Sequence, residues 1–204
     1  MSNLTLEQMS TTYYDVLKEI GNIGAGNATT ALASLLQSKV DMNVPQVMML
    51  DFKDVGAILG GEEQELAAAY LGVEGDIMGS ILFLIKKETA MMIAQKLLGE
   101  YCGDDLGEME CSAVKEVSNI ITGSYLNAIA TLTGLTIYPS VPDLAVDMAG
   151  AILSVPAIQF GMMGDKALMI QTAINADVAI NGYFILMPEP ESYDKILTSL
   201  GIQI

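Results

Sequence analysis

The chain carries one polar pattern twice. Asp15, Glu19, Asn22 and Pro45 recur as Ser112, Glu116, Asn119 and Pro142, each displaced by 97 residues. Each copy reads small polar residue, three residues, Glu, two residues, Asn, twenty-two residues, Pro. A repeat of that span constrains the fold strongly. The 204 residues must form two similar halves, read here as one domain, 1–204, with internal repeats at approximately 5–100 and 102–204. A polar pair that recurs with its spacing intact is read as a site present in two copies.

Hydrophobic periodicity fills in each half. Residues 5–36 predict a long helix, with apolar residues such as Val16, Leu17, Ile20, Ala28 and Leu35 at helical spacing. Val40–Leu50 predicts a strand, and its Pro45 predicts an edge or a bend. Asp51–Leu59 predicts a short helix ending at Gly60-Gly61. Glu65–Val73 and Ile77–Ile85 predict a hairpin, and Glu88–Leu98 a helix stopped by Gly99. The order then restarts. A long helix is expected over Glu108–Thr133, a strand over Leu135–Val141 and a helix over Asp143–Leu153. Strands at Lys166–Ile174 and Ala179–Met187 follow, then a helix at Ser192–Leu200. The expected class is α/β, mixed α+β: two pseudo-symmetric helix–strand–hairpin–helix repeats sharing one sheet. The two long helices should pack on one face of it.

At about 100° per residue, Asp15, Glu19, Asn22 and Gly26 fall within an arc of about 60° on the first helix. Leu17, Ala28 and Leu35 lie opposite, with Ile20, Gly24 and Ala31 toward that side. Ser112, Glu116, Asn119 and Gly123 make the equivalent stripe on the other long helix. Each stripe reads as a docking surface, with a glycine where a partner backbone could approach. A solvated, idle Glu and Asn is the plain alternative for a single copy. Asn, however, is a mediocre residue for a helix interior, so keeping it in both copies wants a reason. A contact between the two helices through these residues is a second alternative.

Composition narrows the chemistry. There is no His, no Arg and no Trp, and the net charge is −16. A Ser-His-Asp system, an imidazole zinc site and a bidentate phosphate clamp are therefore excluded. So acidic a chain does not suit nucleic acid or an anionic membrane as a partner. Cys102 and Cys111 read as incidental reduced thiols, and no metal site is expected. No apolar run suggests membrane insertion. The N-terminal MSNLTLEQMSTTYYD lacks a basic region before an apolar run, so no secretory signal is expected and the cytoplasm is the default. GNIGAGN resembles a nucleotide loop, but it lacks the G-x-G-x-x-G spacing and sits in a helical pattern. Carboxylate, amide, hydroxyl and Lys remain. An amide donates and accepts, so it can hold and aim a water. That suffices where the electrophile is already activated, as in phosphoryl transfer.

The doubled motif, standing as DVLKEIGNIGAGNATTALASLL and SAVKEVSNIITGSYLNAIATLTG, resembles the CheC phosphatases of bacterial chemotaxis, within the CheC/CheX/FliY group. The resemblance covers nearly the whole chain, and two motif copies in one chain point to the CheC type, working as a monomer. It implies dephosphorylation of the response regulator CheY at its aspartyl phosphate. Asn22 and Asn119 would orient the attacking water, and Glu19 and Glu116 would pair with the regulator's active-site Lys. Asp15, Gly26, Ser112 and Gly123 would shape the docking surface. Magnesium would be carried by the phosphorylated regulator, with no cofactor in this chain. The resemblance also implies binding of the CheD deamidase through the second half, with Asp147 the candidate contact. The alternative is a non-catalytic adaptor that binds CheY or CheD through the same helix faces.

Overall fold

The computed structural model describes residues 11–99, 103–160, 166–177 and 179–200. Residues 5–10 of the expected first helix, and Cys102, lie outside them. The first half runs α1 (Thr11–Leu36), β1 (Asp41–Asp51), a 3-10 turn (Phe52–Asp54) leading into α2 (Val55–Leu59), β2 (Glu65–Gly75), β3 (Gly79–Lys86) and α3 (Lys87–Leu98). The second runs α4 (Glu108–Thr133), β4 (Ile137–Pro139), β5 (Asp143–Met148), α5 (Ala149–Phe160), β6 (Lys166–Asn175), β7 (Ala179–Pro188) and α6 (Pro190–Ser199).

All strands join one antiparallel sheet in the order β1-β6-β7-β3-β2, with β4 and β5 both on the outer side of β2. The two hairpins meet where β3 pairs with β7, Phe83 opposite Phe184. The edge strands are exchanged: β1 of the first half pairs with β6, while β4 and β5 of the second pair with β2. Neither hairpin is therefore completed by its own half. The prolines act where a strand must bend, because proline gives no ladder N–H. The β1 register shifts between Asn43 and Gln46, around Pro45. At Pro142 the equivalent strand breaks into β4 and β5.

The sequence-based helix over Asp143–Leu153 is corrected. Asp143–Met148 is an edge strand paired with β2, and the helix begins only at Ala149. The residues alternate, with Asp143, Ala145 and Asp147 exposed and Leu144 and Val146 half-buried. That is the period of a strand lying on a core.

Alternation in the central strands builds two cores. Ala67, Ala69, Leu71, Ile81, Phe83, Ile85, Ile170 and Phe184 face α1, α3 and α4. Leu66, Ala68, Leu82, Leu84, Met169 and Ile185 face α2 and α5 through Val55, Leu59, Ile152 and Leu153. The molecule is thus three-layered, with both long helices on one face. The buried arc of α1 is centred on Ala28 and takes in Gly21, Ala25, Leu32 and Leu36. Ala31, assigned to that side from the wheel, lies exposed at its margin. Gly99 and Gly134 end α3 and α4 in left-handed conformations, with φ of 74° and 71°.

The long helices pack along each other and approach closely at one small residue. A Cβ on Gly24 of α1 would stand 2.9 Å from the Cα of Tyr125 in α4. Tyr125 in turn packs on Phe184, ring centroids 4.4 Å apart, and its hydroxyl meets the Thr172 hydroxyl at 2.7 Å. Burial pushes the Tyr125 phenol up to about 12, opposed by the Thr172 hydrogen bond. The sign of the consequence is fixed by linkage. An unfolded Tyr releases its proton near 10 and the folded one only near 12. The neutral phenol thus contributes in full below pH 10, and its contribution falls as pH rises through the interval to 12. Urea unfolding between pH 9 and 12 is expected to show a loss of up to about 2–3 kcal/mol that Tyr125→Phe removes.

Candidate functional site

The two stripes lie on the outward faces of α1 and α4. Glu19, Asn22 and Gly26 are exposed on α1, and Asp15 lies one turn N-terminal on the same helix. Ser112, Glu116 and Asn119 are exposed on α4, and Gly123 is half-buried. The geometry follows from the core. With Ala28 and its neighbours fixed against the sheet, residues three and four apart on the far side must line up toward solvent.

The four motif side chains are uncommitted. Among the described residues, Glu19, Asn22, Glu116 and Asn119 make no side-chain hydrogen bond and no ion pair. No such contact links one stripe to the other, so the motif residues do not serve as a bridge between the helices. The Ser112 hydroxyl does have a partner, donating to the Glu108 carbonyl one turn earlier at 2.8 Å. A Cβ on Gly26 or Gly123 would meet nothing within 4 Å. Those two glycines leave open surface one turn beyond each Asn, in contrast to Gly24, which is filled by Tyr125.

The copies differ where their following strands differ. A Cβ on Gly21 would stand 2.9 Å from Val44 Cγ2, since β1 folds Val44 tightly under α1. Ser118 occupies the equivalent position on α4, buried, with its hydroxyl bonded to the Val114 carbonyl at 2.8 Å. Val141, the counterpart of Val44, is 86% exposed because the chain breaks at Pro142. Space released by the broken strand admits a side chain that the first copy cannot take.

Asp147 lies apart from both stripes, exposed on edge strand β5, with its carboxylate accepting from its neighbour's Met148 N–H at 2.7 Å. GNIGAGN is the helical interior of α1, with no loop to cradle a phosphate. Among the described residues no three acidic or thiol groups are clustered to hold a metal ion, and no helix is long and apolar enough to cross a membrane. Sequence reasoning missed the part of Tyr125, whose ring fixes α4 against α1 and the sheet. Its only signal was a glycine, Gly24, in the middle of the facing helix.

Comparison with known proteins places this geometry. The CheC-like family model matches residues 14–49 and 109–146, the two motif-bearing segments. A Bacillus subtilis protein named CheY-P phosphatase CheC is 36% identical over 197 residues, covering 93% of this chain and 94% of that protein. A Halobacterium salinarum protein bearing the name "Putative CheY-P phosphatase CheC1" is 26% identical over 190 residues, covering 90% of this chain and 94% of that protein. Among solved structures, Thermotoga maritima FliY shares the fold, with a TM-score of 0.77, 22% identity and coverage of 95% and 98%. Every position of both motif copies lies inside the matched segments, and the likeness runs almost end to end: the chain belongs to the CheC-like family.

Proposed function

We propose that the chain is a phosphatase that hydrolyses the aspartyl phosphate of a CheY-type response regulator, with α1 and α4 as two reaction faces. One observation carries this reading: Glu and Asn recur in the two long helices, exposed and unpaired in both, in a relative of a protein named for this activity.

The chemistry asks for little beyond positioning. A water oxygen attacks phosphorus in line, and the bond from phosphorus to the aspartyl oxygen breaks. The products are a free carboxylate and inorganic phosphate, with the water's proton passing to phosphate and solvent. The leaving carboxylate has an ordinary pKa near 4, so it departs without a proton from a general acid. That accounts for a site with no His. The Asn22 or Asn119 amide oxygen can accept from the water while the amide NH2 donates to the phosphoryl oxygens. Glu19 or Glu116 would be repelled by a phosphoryl group and fits a Lys of the regulator instead, as an anchor fixing the helix in register. Magnesium, in this reading, is held by the regulator's own carboxylates.

Gly26 and Gly123 would let the partner's backbone approach the helix. Alanine there has space and better helix propensity, so Gly26→Ala should stabilise the fold by about 0.4–1 kcal/mol. The same methyl would stand in the docking face, and KM for the phosphorylated regulator should rise about fivefold. Thermal unfolding and decay kinetics on one preparation check the opposite signs.

The adaptor alternative uses the same faces without chemistry. Decay of phosphorylated CheY, followed with Asn22 and Asn119 replaced singly and together, separates the two readings. Phosphatase action requires the double replacement to remove acceleration, and an adaptor is indifferent to it.

A further inference from the structure

The two long helices share three charged or amide identities at the 97-residue spacing: Glu19 with Glu116, Asn22 with Asn119, and Lys18 with Lys115. Water positioning and anchoring use the first two and leave the lysines unexplained. We infer that Lys18 and Lys115 are the third member of each motif, cations that receive the carboxylate-rich rim of the phosphorylated partner beside the working Asn. The partner's identity rests on the phosphatase reading above.

Four observations support this. Lys18 is exposed and Lys115 half-buried, and among the described residues neither has a hydrogen bond or ion pair. Four other lysines are engaged: Lys53 with Asp51, Lys87 with Glu65 and Asp105, Lys96 with Asp177, and Lys195 with the Asp76 carbonyl. Among the described residues Lys39 and Lys86 are free as well, but neither lies on a motif helix. Second, the helix places each lysine on the motif face. Lys18 lies about 40° from Asn22, and Glu19 about 60° from it on the other side, so the amide sits between opposite charges. Third, no acid in its own turn explains the lysine in both copies. Asp15 stands three residues before Lys18, but Ser112 replaces it before Lys115, with its hydroxyl already given to Glu108. The one neighbour at i±3 or i±4 that both lysines share is the motif Asn.

Fourth, charge balance asks for such a group. The chain carries a net charge of −16. A site that holds magnesium and a phosphoryl group is built from carboxylates, so its rim is acidic. Two like-charged surfaces approach badly unless cations stand at the contact. Lys18 and Lys115 supply them where the Asn must enter. With Glu facing the partner's Lys and Lys facing its carboxylates, the pair also fixes the direction of docking. The lysine stem can lie along the helix flank while the ammonium stays free, in keeping with half-burial at Lys115.

The test separates docking from chemistry. Binding is measured to CheY held in its activated form with beryllofluoride and magnesium, at low and high salt. Decay of phosphorylated CheY is measured at saturating protein. Lys18→Glu with Lys115→Glu should weaken binding about tenfold or more at low salt, flatten its salt dependence, and leave the saturating rate within about twofold. Lys18→Arg with Lys115→Arg should retain parental binding. If circular dichroism shows the reversed variant unfolded, Lys18→Gln with Lys115→Gln should still weaken binding about threefold. Binding unchanged in these variants, or a lower saturating rate with binding intact, overturns the inference. A parent chain that binds without speeding decay removes the phosphatase reading and leaves the lysines to be judged on binding. A parent chain that does not bind overturns both.

Discussion

Phe184→Ala is expected to lower the free energy of unfolding by about 3–5 kcal/mol. Phe184 is 1% exposed and lies on β7 where the two hairpins join. Its ring stands 4.6 Å from that of Phe83, its partner across the β3–β7 ladder, and 4.4 Å from that of Tyr125 on α4. Truncation opens a cavity at the point where both halves and a motif helix meet. The surrounding strands are held by ladders on both sides and can collapse only partly. Phe184→Leu keeps most of the volume and should cost about 1.5 kcal/mol or less. Urea midpoints for the two variants check the difference. Where Phe184→Ala remains folded, its exposed Asn residues are untouched, so the rate per folded molecule should stay near the parental value.

Much of this architecture could be read from local pattern. α4 was legible at both ends, because Gly134 supplies the left-handed residue that closes it and acidic residues occupy its first turn. Both hairpins followed from apolar runs flanking short polar turns. The exchange of edge strands was not legible. β1 and β5 carry no mark naming the hairpin they join, since backbone pairing is nearly independent of side chain. The strand Asp143–Met148 was misread because it leads without a break into a true helix at Ala149. Its apolar residues fit either period when the two stretches are taken together, and only the alternation within Asp143–Met148 separates them.

The candidate site divides in the same way. The position of Glu19, Asn22, Glu116 and Asn119 on outward helix faces followed from spacing alone. The different duties of the glycines needed tertiary structure in part. Gly24 is set against Tyr125 while Gly26, two residues on, faces open space. The divergence between Gly21 and Ser118 could not be read at all. It depends on Val44 turning in and Val141 turning out, which follows from how each strand meets its proline.

Asn22→Ala together with Asn119→Ala is expected to have the largest effect on activity. In the proposed mechanism these amides aim the water, so their loss should slow the assisted reaction about 100-fold or more, leaving the regulator's own decay. Both side chains are exposed and without internal partners, so the fold loses nothing, and helix propensity favours alanine. Binding to activated CheY should change little, because Glu19, Glu116 and the open glycine surfaces remain. Each single replacement should leave acceleration from the other helix. The Gly21 and Ser118 environments give no reason for the two contributions to be equal.

The most direct measurement is the rate of decay of phosphorylated CheY with the parent chain, Asn22→Ala, Asn119→Ala and the double variant, each at saturating concentration. Acceleration by the parent, a partial rate in at least one single variant, and the regulator's unassisted rate in a folded, binding-competent double variant is the predicted result. Full acceleration in the double variant would contradict the claim that these two asparagines position the attacking water.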